Sequence, residues 1–323
     1  MNLFFNRLLE TVLIPFRYFI ETTGRLYWVY LLSAALIGGA AVLYQNFLSE
    51  NFSWKKSFRE ILDFSHWKTV SSQTDFKYYF IESILFAVFF SWFVLNTAAV
   101  SVFIYRSMFF FFGSGPKLNP NLAVNFIYTV IFLLAYDYGK YTVHRWLHAY
   151  PILWEFHKFH HSAESLNPIT VYRVHPVESI LLNSAAGLFS GIVSGVFIYV
   201  YPGVSMFSFL GVNFGIFLFH LYSNLRHSQV WISFPAWLSR IVLSPAQHQI
   251  HHSSKSEHAH SNFGVTFAFW DFFGKSLYIP ERKEELRYGL PKMTNSSDYT
   301  DIFRIFWVPF YKVYGLLFKE KQN

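Results

Sequence analysis

The chain has no cysteine, so disulfides and thiolate metal sites are both excluded, and any bound metal must take nitrogen or oxygen ligands. Charge is also scarce. Only 14% of the 323 residues are Asp, Glu, Lys or Arg, where a soluble globular domain carries about 25%. A glycine-rich GxGxxG nucleotide loop is missing, as are flavin and haem-binding modules, so electrons for any redox reaction must come from another protein. What is present in excess is apolar surface: 53% hydrophobic residues, including 40 Phe, 21 Tyr and 10 Trp. The net charge of +7 comes from scattered rather than clustered Lys and Arg. It points to anionic lipid, not nucleic acid.

A bilayer core takes about 20 apolar residues as a helix. Five windows qualify: 26–47, 84–105, 124–143, 179–201 and 204–222, the last two separated only by Pro202-Gly203, which reads as a tight hairpin turn. The third contains Asp137 and Lys140, so protein must line part of it. The N-terminal stretch mixes charge with apolar residues and reads as an interfacial helix, not a cleaved signal. The tail from 301, broken at Pro309, reads as a second surface segment. The expected fold is an all-α integral membrane protein with about five transmembrane helices and a cytoplasmic helical cap carrying a histidine-rich dimetal site. Its expected divisions are 1–123 (interfacial helix and two spans), 124–300 (catalytic region with three spans and the cap) and 301–323.

Under this topology, segments 48–78, 145–178 and 223–323 share one side and hold 20 Lys and Arg, against 5 in segments 1–25 and 106–123. The richer side is expected to be cytoplasmic. Thirteen of the 14 histidines lie between His144 and His260, on or beside that side. The remaining one, His66, reads as an ordinary interfacial residue.

Three clusters stand out: His144-x3-His148, His157-x2-His160-His161 and His248-x2-His251-His252. Residues three and four apart share a helix face, so each cluster is expected to point its imidazoles one way. His220 and His227 in "HLYSNLRH" are further candidate ligands, with His258 and His260 behind them. Asp137 and Tyr141 continue the stripe of His144 and His148 and could orient a ligating ring. His175 and Asn224 are further supporting candidates. Eight to ten nitrogens exceed the needs of one ion, so two metals are implied, iron or zinc by ligand type, with iron favoured for oxygen chemistry on lipid.

From Asp137 to Lys275 the chain resembles the fatty acid hydroxylase/sterol desaturase superfamily. The resemblance rests on "DYGKYTVHRWLH", "HKFHH", "YRVHPVES", "HLYSNLRH", "SPAQHQIHH" and "SNFGVTFAFWDFFGK". It implies two Fe ions, O2 as co-substrate, and hydroxylation or desaturation of an alkyl position of a lipid, sterol or acyl chain. The three histidine boxes would ligate the metals. His220 and His227 stand where the family has further ligands, His175 matches its His-Pro histidine, and Trp270, Asp271 and Gly274 match a structural element. His260 replaces a frequent acidic residue and Lys275 a frequent threonine. The implied partners are a membrane lipid, the bilayer and a cytochrome b5- or ferredoxin-type donor. The implied location is a bacterial inner membrane or the ER, the latter suggested by Lys319 and Lys321 in "KEKQN". A zinc peptidase needs Glu after the first His of HExxH, and Arg145 stands there. An inactive relative with a structural metal would also use clustered histidines, whereas a non-enzymatic metal or haem carrier predicts single histidines within the spans, and these are boxed at their border.

Overall fold

The structure is a computed structural model that describes residues 2–50, 52–290 and 296–318. Lys319 and Lys321 lie outside them. Among the described residues four stretches are long and apolar enough to cross a membrane: Trp28–Phe47, Phe90–Phe112, Leu122–Ala149 and Pro176–Val200.

In chain order, amphipathic α1 (Asn2–Arg17) leads to α2 (Trp28–Phe47), α3 (Trp54–Ile61) and α4 (Val70–Val88). The apolar window expected to be one helix over 84–105 is split. α4 stops at Val88, and α5 (Thr97–Phe112) restarts after a 3-10 turn. The cause is local: Asn96 accepts from Ala99 N as an N-cap, and Leu95 N donates to Ser184 Oγ at 3.0 Å. α8 (Pro176–Val200) packs along both α5 and α6 (Leu122–Ala149), the latter capped by Asn121. Close approach requires glycine here: a Cβ on Gly187 of α8 would sit 2.0 Å from Leu95 O, and one on Gly139 of α6 2.5 Å from Ala185 O.

The window 204–222 is not a spanning helix. It forms a short hairpin, β1 (Ser208–Phe209) with β2 (Val212–Asn213), turning through Leu210 and Gly211 at positive φ, and then α9 (Phe214–Ser223). Ten residues rise about 15 Å, half a bilayer core. Irregular backbone at this depth must be satisfied by protein. Ser205 N donates to Asn125 Oδ1 and Phe207 N to Thr129 Oγ1, both on α6.

The cap contains α7 (Pro151–His161), α10 (Ala236–Ser239), α11 (Pro245–His251) and α12 (Phe269–Gly274). α13 (Ile302–Phe318) carries Pro309 within the helix, so this proline does not end it. Buried Arg173 knits the parts together. It donates to Asp75 Oδ1 of α4 at 2.6 Å, to Phe159 O of α7 at 2.9 Å and to Tyr299 O at 3.0 Å.

One expectation about sides changes. The topology from hydropathy puts residues 1–25 opposite the histidines, yet Tyr18 and Arg25 line the same cavity as His144 and His157.

Candidate metal centre

α6 delivers His144 and His148 in its last two turns. Tyr150 then leaves helical geometry and Pro151 opens α7, so His157, His160 and His161 restart on a new axis. Ninety residues later Ser244 and Gln247 form a reciprocal capping box, with Pro245 in the first turn. That fixes a helix of seven residues bearing His248 and His251, with His252 as its C-cap.

These rings gather into two groups, His144, His148, His157, His161 and His251 in one, and His160, His227, His248 and His252 in the other. In each group the ligand atoms lie within 4.8 Å of one another. The expectation that each HxxHH cluster serves one site is corrected. On α7 the i, i+4 pair 157/161 joins the first group and His160 the second. On α11 the pair 248/252 joins the second and His251 the first. A step of three residues places a side chain about 60° to one side of the starting residue and a step of four about 40° to the other, so the two diverge by about 100°. Two HxxHH helices facing each other can thus feed two adjacent ions.

The donor set fits metals on three grounds. First, His227, His248 and His252 bring their Nε2 atoms mutually within 3.1–3.2 Å. A triangle cannot alternate donors and acceptors, so hydrogen bonding alone leaves at least one pair mismatched. Ligands at about 2.1 Å from an ion and about 95° apart would be spaced this way. Second, His251 Nε2 is buried without a partner. Third, the outer nitrogens are tied down. His144 Nδ1 pairs with Phe263 O (2.7 Å), His157 Nδ1 with Glu178 Oε1 (2.7 Å), His160 Nδ1 with Arg173 O (3.2 Å) and His251 Nδ1 with Ser261 O (2.8 Å). An Nδ1–H donor leaves the Nε2 lone pair facing inward. Burial drives the cap rings toward the neutral form. His160 is lowered to about 3, and His157, His161, His227, His248, His251 and His252 fall well below the usual histidine range, with neighbouring imidazoles adding to the effect. His248 is the exception on the outer side: Arg226 Nη2 donates to its Nδ1 at 2.5 Å.

The remaining candidates are placed elsewhere. His220 is in neither group: its ring packs edge-on to Tyr30, and its Nδ1 is buried without a partner. His258 pairs with Glu284 at 2.9 Å, and exposed His260 marks a left-handed turn (φ 62°). His175 caps α8, accepting from Val177 N and facing Phe306 O. Asn224 donates to Arg25 O. Asp137 accepts from Thr266 N, Phe267 N and Trp270 Nε1, so it clamps the 264–270 backbone onto α6 and does not touch a histidine. Tyr141 accepts from Arg145 Nη1, which also donates to Gly274 O. Asp271 accepts from Phe263 N, Gly264 N and Ser276 Oγ. The residues that sequence reasoning passed over are Glu178, Arg226 and Arg173. Their signal is a charge at the edge of an apolar run or beside a histidine motif.

A cavity of about 290 Å³ reaches both groups, with His144 and His157 of the first and His160, His227 and His248 of the second in its wall. Phe86, Val171, Val174, Leu182 and Val265 give it apolar sides.

Helices long and apolar enough to cross a membrane, ending in two histidine groups that could hold metal ions, fit a membrane metalloprotein of the histidine-box class. The fatty acid hydroxylase family matches residues 129–276, from α6 through the segment after α12. Similar proteins are the alkylglycerol monooxygenase of Xenopus tropicalis (28% identical, 51% of this chain, 33% of that protein) and that of Homo sapiens (26%, 58% and 40%). The enzyme of the same name from Danio rerio is 26% identical over 57% of this chain and 38% of its own length. The chain thus spans no more than two-fifths of the length of these relatives. No solved structure matches it significantly. Residues 129–276 thus match the fatty acid hydroxylase family, in line with the superfamily motifs between Asp137 and Lys275.

Proposed function

We propose that this protein is an O2-dependent monooxygenase that hydroxylates an alkyl position of a membrane lipid at a di-iron centre held by the nine clustered histidines. The observation that carries the reading is the cavity whose wall joins rings of both groups to the apolar side chains of Phe86, Val171, Val174, Leu182 and Val265. Iron in these sites would supply the activation of O2 that no side chain can provide.

The chain's own residues do the rest. His144, His148, His157, His161 and His251 would hold one ion, and His160, His227, His248 and His252 the second. Glu178 and the carbonyls of Phe263, Arg173 and Ser261 fix ring orientation through Nδ1. Phe86, Leu182 and Val265 bind an alkyl chain and keep water away from it. Desaturation differs from hydroxylation only in how the chain is positioned. Electrons come from an external donor of the cytochrome b5 or ferredoxin type, docking on the cap. The Lys and Arg asymmetry supports a cytoplasmic cap. The names of the similar proteins, alkylglycerol monooxygenases, support an alkyl ether lipid as substrate.

The test is metal analysis of purified protein, followed by lipid mass spectrometry of cells with and without the gene. Two irons per chain and an O2-dependent lipid product 16 mass units heavier are expected. Well under two metals per chain, or identical lipid profiles, would overturn the reading.

A further inference from the structure

The cavity beside the metal centre carries positive charge that the described chain does not neutralise. Arg25, Lys140 and Arg226 all line it. Among the described residues none of the three lies within ion-pair distance of a carboxylate. Arg25 is the extreme case: its Nε and Nη2 are enclosed without a hydrogen-bond partner. Its guanidinium rests 5.3 Å from the Phe219 ring centroid, and that of Arg226 lies 5.5 Å from the same centroid. Lys140 Nζ stands 4.8 Å from the Tyr136 ring. His220, beside them, has an Nδ1 with no partner. Two carboxyls share the wall: Glu178 is engaged by His157 Nδ1 at 2.7 Å, and Glu82 is pushed up to about 8 by burial, and neither lies within ion-pair distance of the three cations.

An unpaired buried guanidinium costs several kcal/mol, and aromatic faces recover only part of it. Two arginines and a lysine converging on one cavity are what a phosphate or carboxylate would complete, since arginine presents a fork matched to both. Phe86 and Leu182 add apolar surface to the same cavity. A molecule that suits both kinds of surface has a hydrocarbon chain and an acidic head.

We propose that Arg25 and Lys140, with the unpartnered Nε of Arg226, whose Nη atoms already donate to Val265 O, Gly264 O and His248 Nδ1, form a headgroup site for an anionic lipid, whose phosphate or carboxylate they bind while its alkyl chain faces the histidine groups. This rests on the reading of the cavity as the substrate's. It narrows the substrate to acidic lipids, whereas the similar proteins are named for alkylglycerols, which are uncharged.

The experiment is competitive binding to the metal-loaded protein in detergent, read by native mass spectrometry. The probes are a monoalkyl glycerol phosphate, the alkylglycerol of the same chain, and inorganic phosphate. Wild type should prefer the phosphate lipid by at least about tenfold, the scale of one charge-assisted contact. Arg25→Gln should reduce that preference to below about threefold while Arg25→Lys retains most of it. Equal binding of the two lipids by wild type overturns the proposal, and that comparison needs no variant. A preference unchanged in Arg25→Gln overturns it too. Displacement of the phosphate lipid by millimolar inorganic phosphate would assign the site to a free anion and overturn the lipid assignment. Selective binding without oxidation of either lipid would sink the proposed reaction and leave the headgroup site standing. Oxidation of both lipids without binding preference would do the reverse.

Discussion

His157 Nδ1 lies 2.7 Å from Glu178 Oε1, with both side chains buried where α7 meets the first turn of α8. The contact makes a carboxylate–histidine pair pointing at the five-histidine group. It fixes the tautomer that leaves Nε2 free and raises the basicity of the ring. Glu178→Gln keeps an acceptor and removes the charge. It should weaken metal binding at the first group by about 10–100-fold. Chelator titration followed by elemental analysis measures this, and an unchanged affinity would show that the pair is only structural.

Metal stoichiometry should separate the two groups. His251→Ala and His252→Ala neighbour each other on α11 yet feed different groups, so each should lower the content from two ions toward one. Anomalous scattering or Mössbauer spectra should show that different ions are lost. His220→Ala and His258→Ala should keep both, and a loss in His220→Ala would restore that residue as a ligand.

Acid should destabilise the metal-free protein. The cap histidines have folded-state values depressed by burial, His160 to about 3. Unfolded histidine titrates near 6.5. As pH falls below about 6.5 the unfolded state takes up protons first, so stability declines between there and about 3, by up to about 1.4 kcal/mol per pH unit for each such ring. Above about 6.5 the effect vanishes. Thermal unfolding of chelator-treated protein from pH 8 to pH 5 checks this, and a flat profile would contradict the burial of neutral rings.

Asp137→Ala should destabilise without removing a ligand. Three part-buried donors, from Thr266, Phe267 and Trp270, would lose their buried acceptor, at a cost of about 3 kcal/mol. Because Phe263 O holds the His144 ring, loosening this segment should also lower occupancy at the first group. A melting temperature equal to wild type would rule out the clamp.

Replacing Asp75 with Asn should be among the more damaging changes in the cap. It leaves buried Arg173 without its counter-charge, and breaking such a pair costs about 3–5 kcal/mol. Limited proteolysis at the Phe159–Arg173 stretch would report the loss, and unchanged resistance would count against it.

The sequence by itself determined the membrane character, the nitrogen-only ligand chemistry, and the helical registers that put histidines at i, i+3 and i+4. These follow from local periodicity and from residue types with a narrow range of uses. It also carried the superfamily motifs from Asp137 to Lys275. Tertiary structure decided what depends on which elements meet. His227 joined a group and His220 did not, because α9 starts partway up α6 after a hairpin and the turn that follows it sets His227 opposite α11. Each HxxHH box divided between two groups because two helices face each other across them, and no single helix contains that fact. Asp137 lies on the stripe of His144 yet spends its oxygens on a loop some 130 residues away. Arg25, in a segment that hydropathy placed on the far side, became part of the cavity wall. Periodicity fixes the face of a helix on which a side chain stands, and only packing fixes what stands opposite.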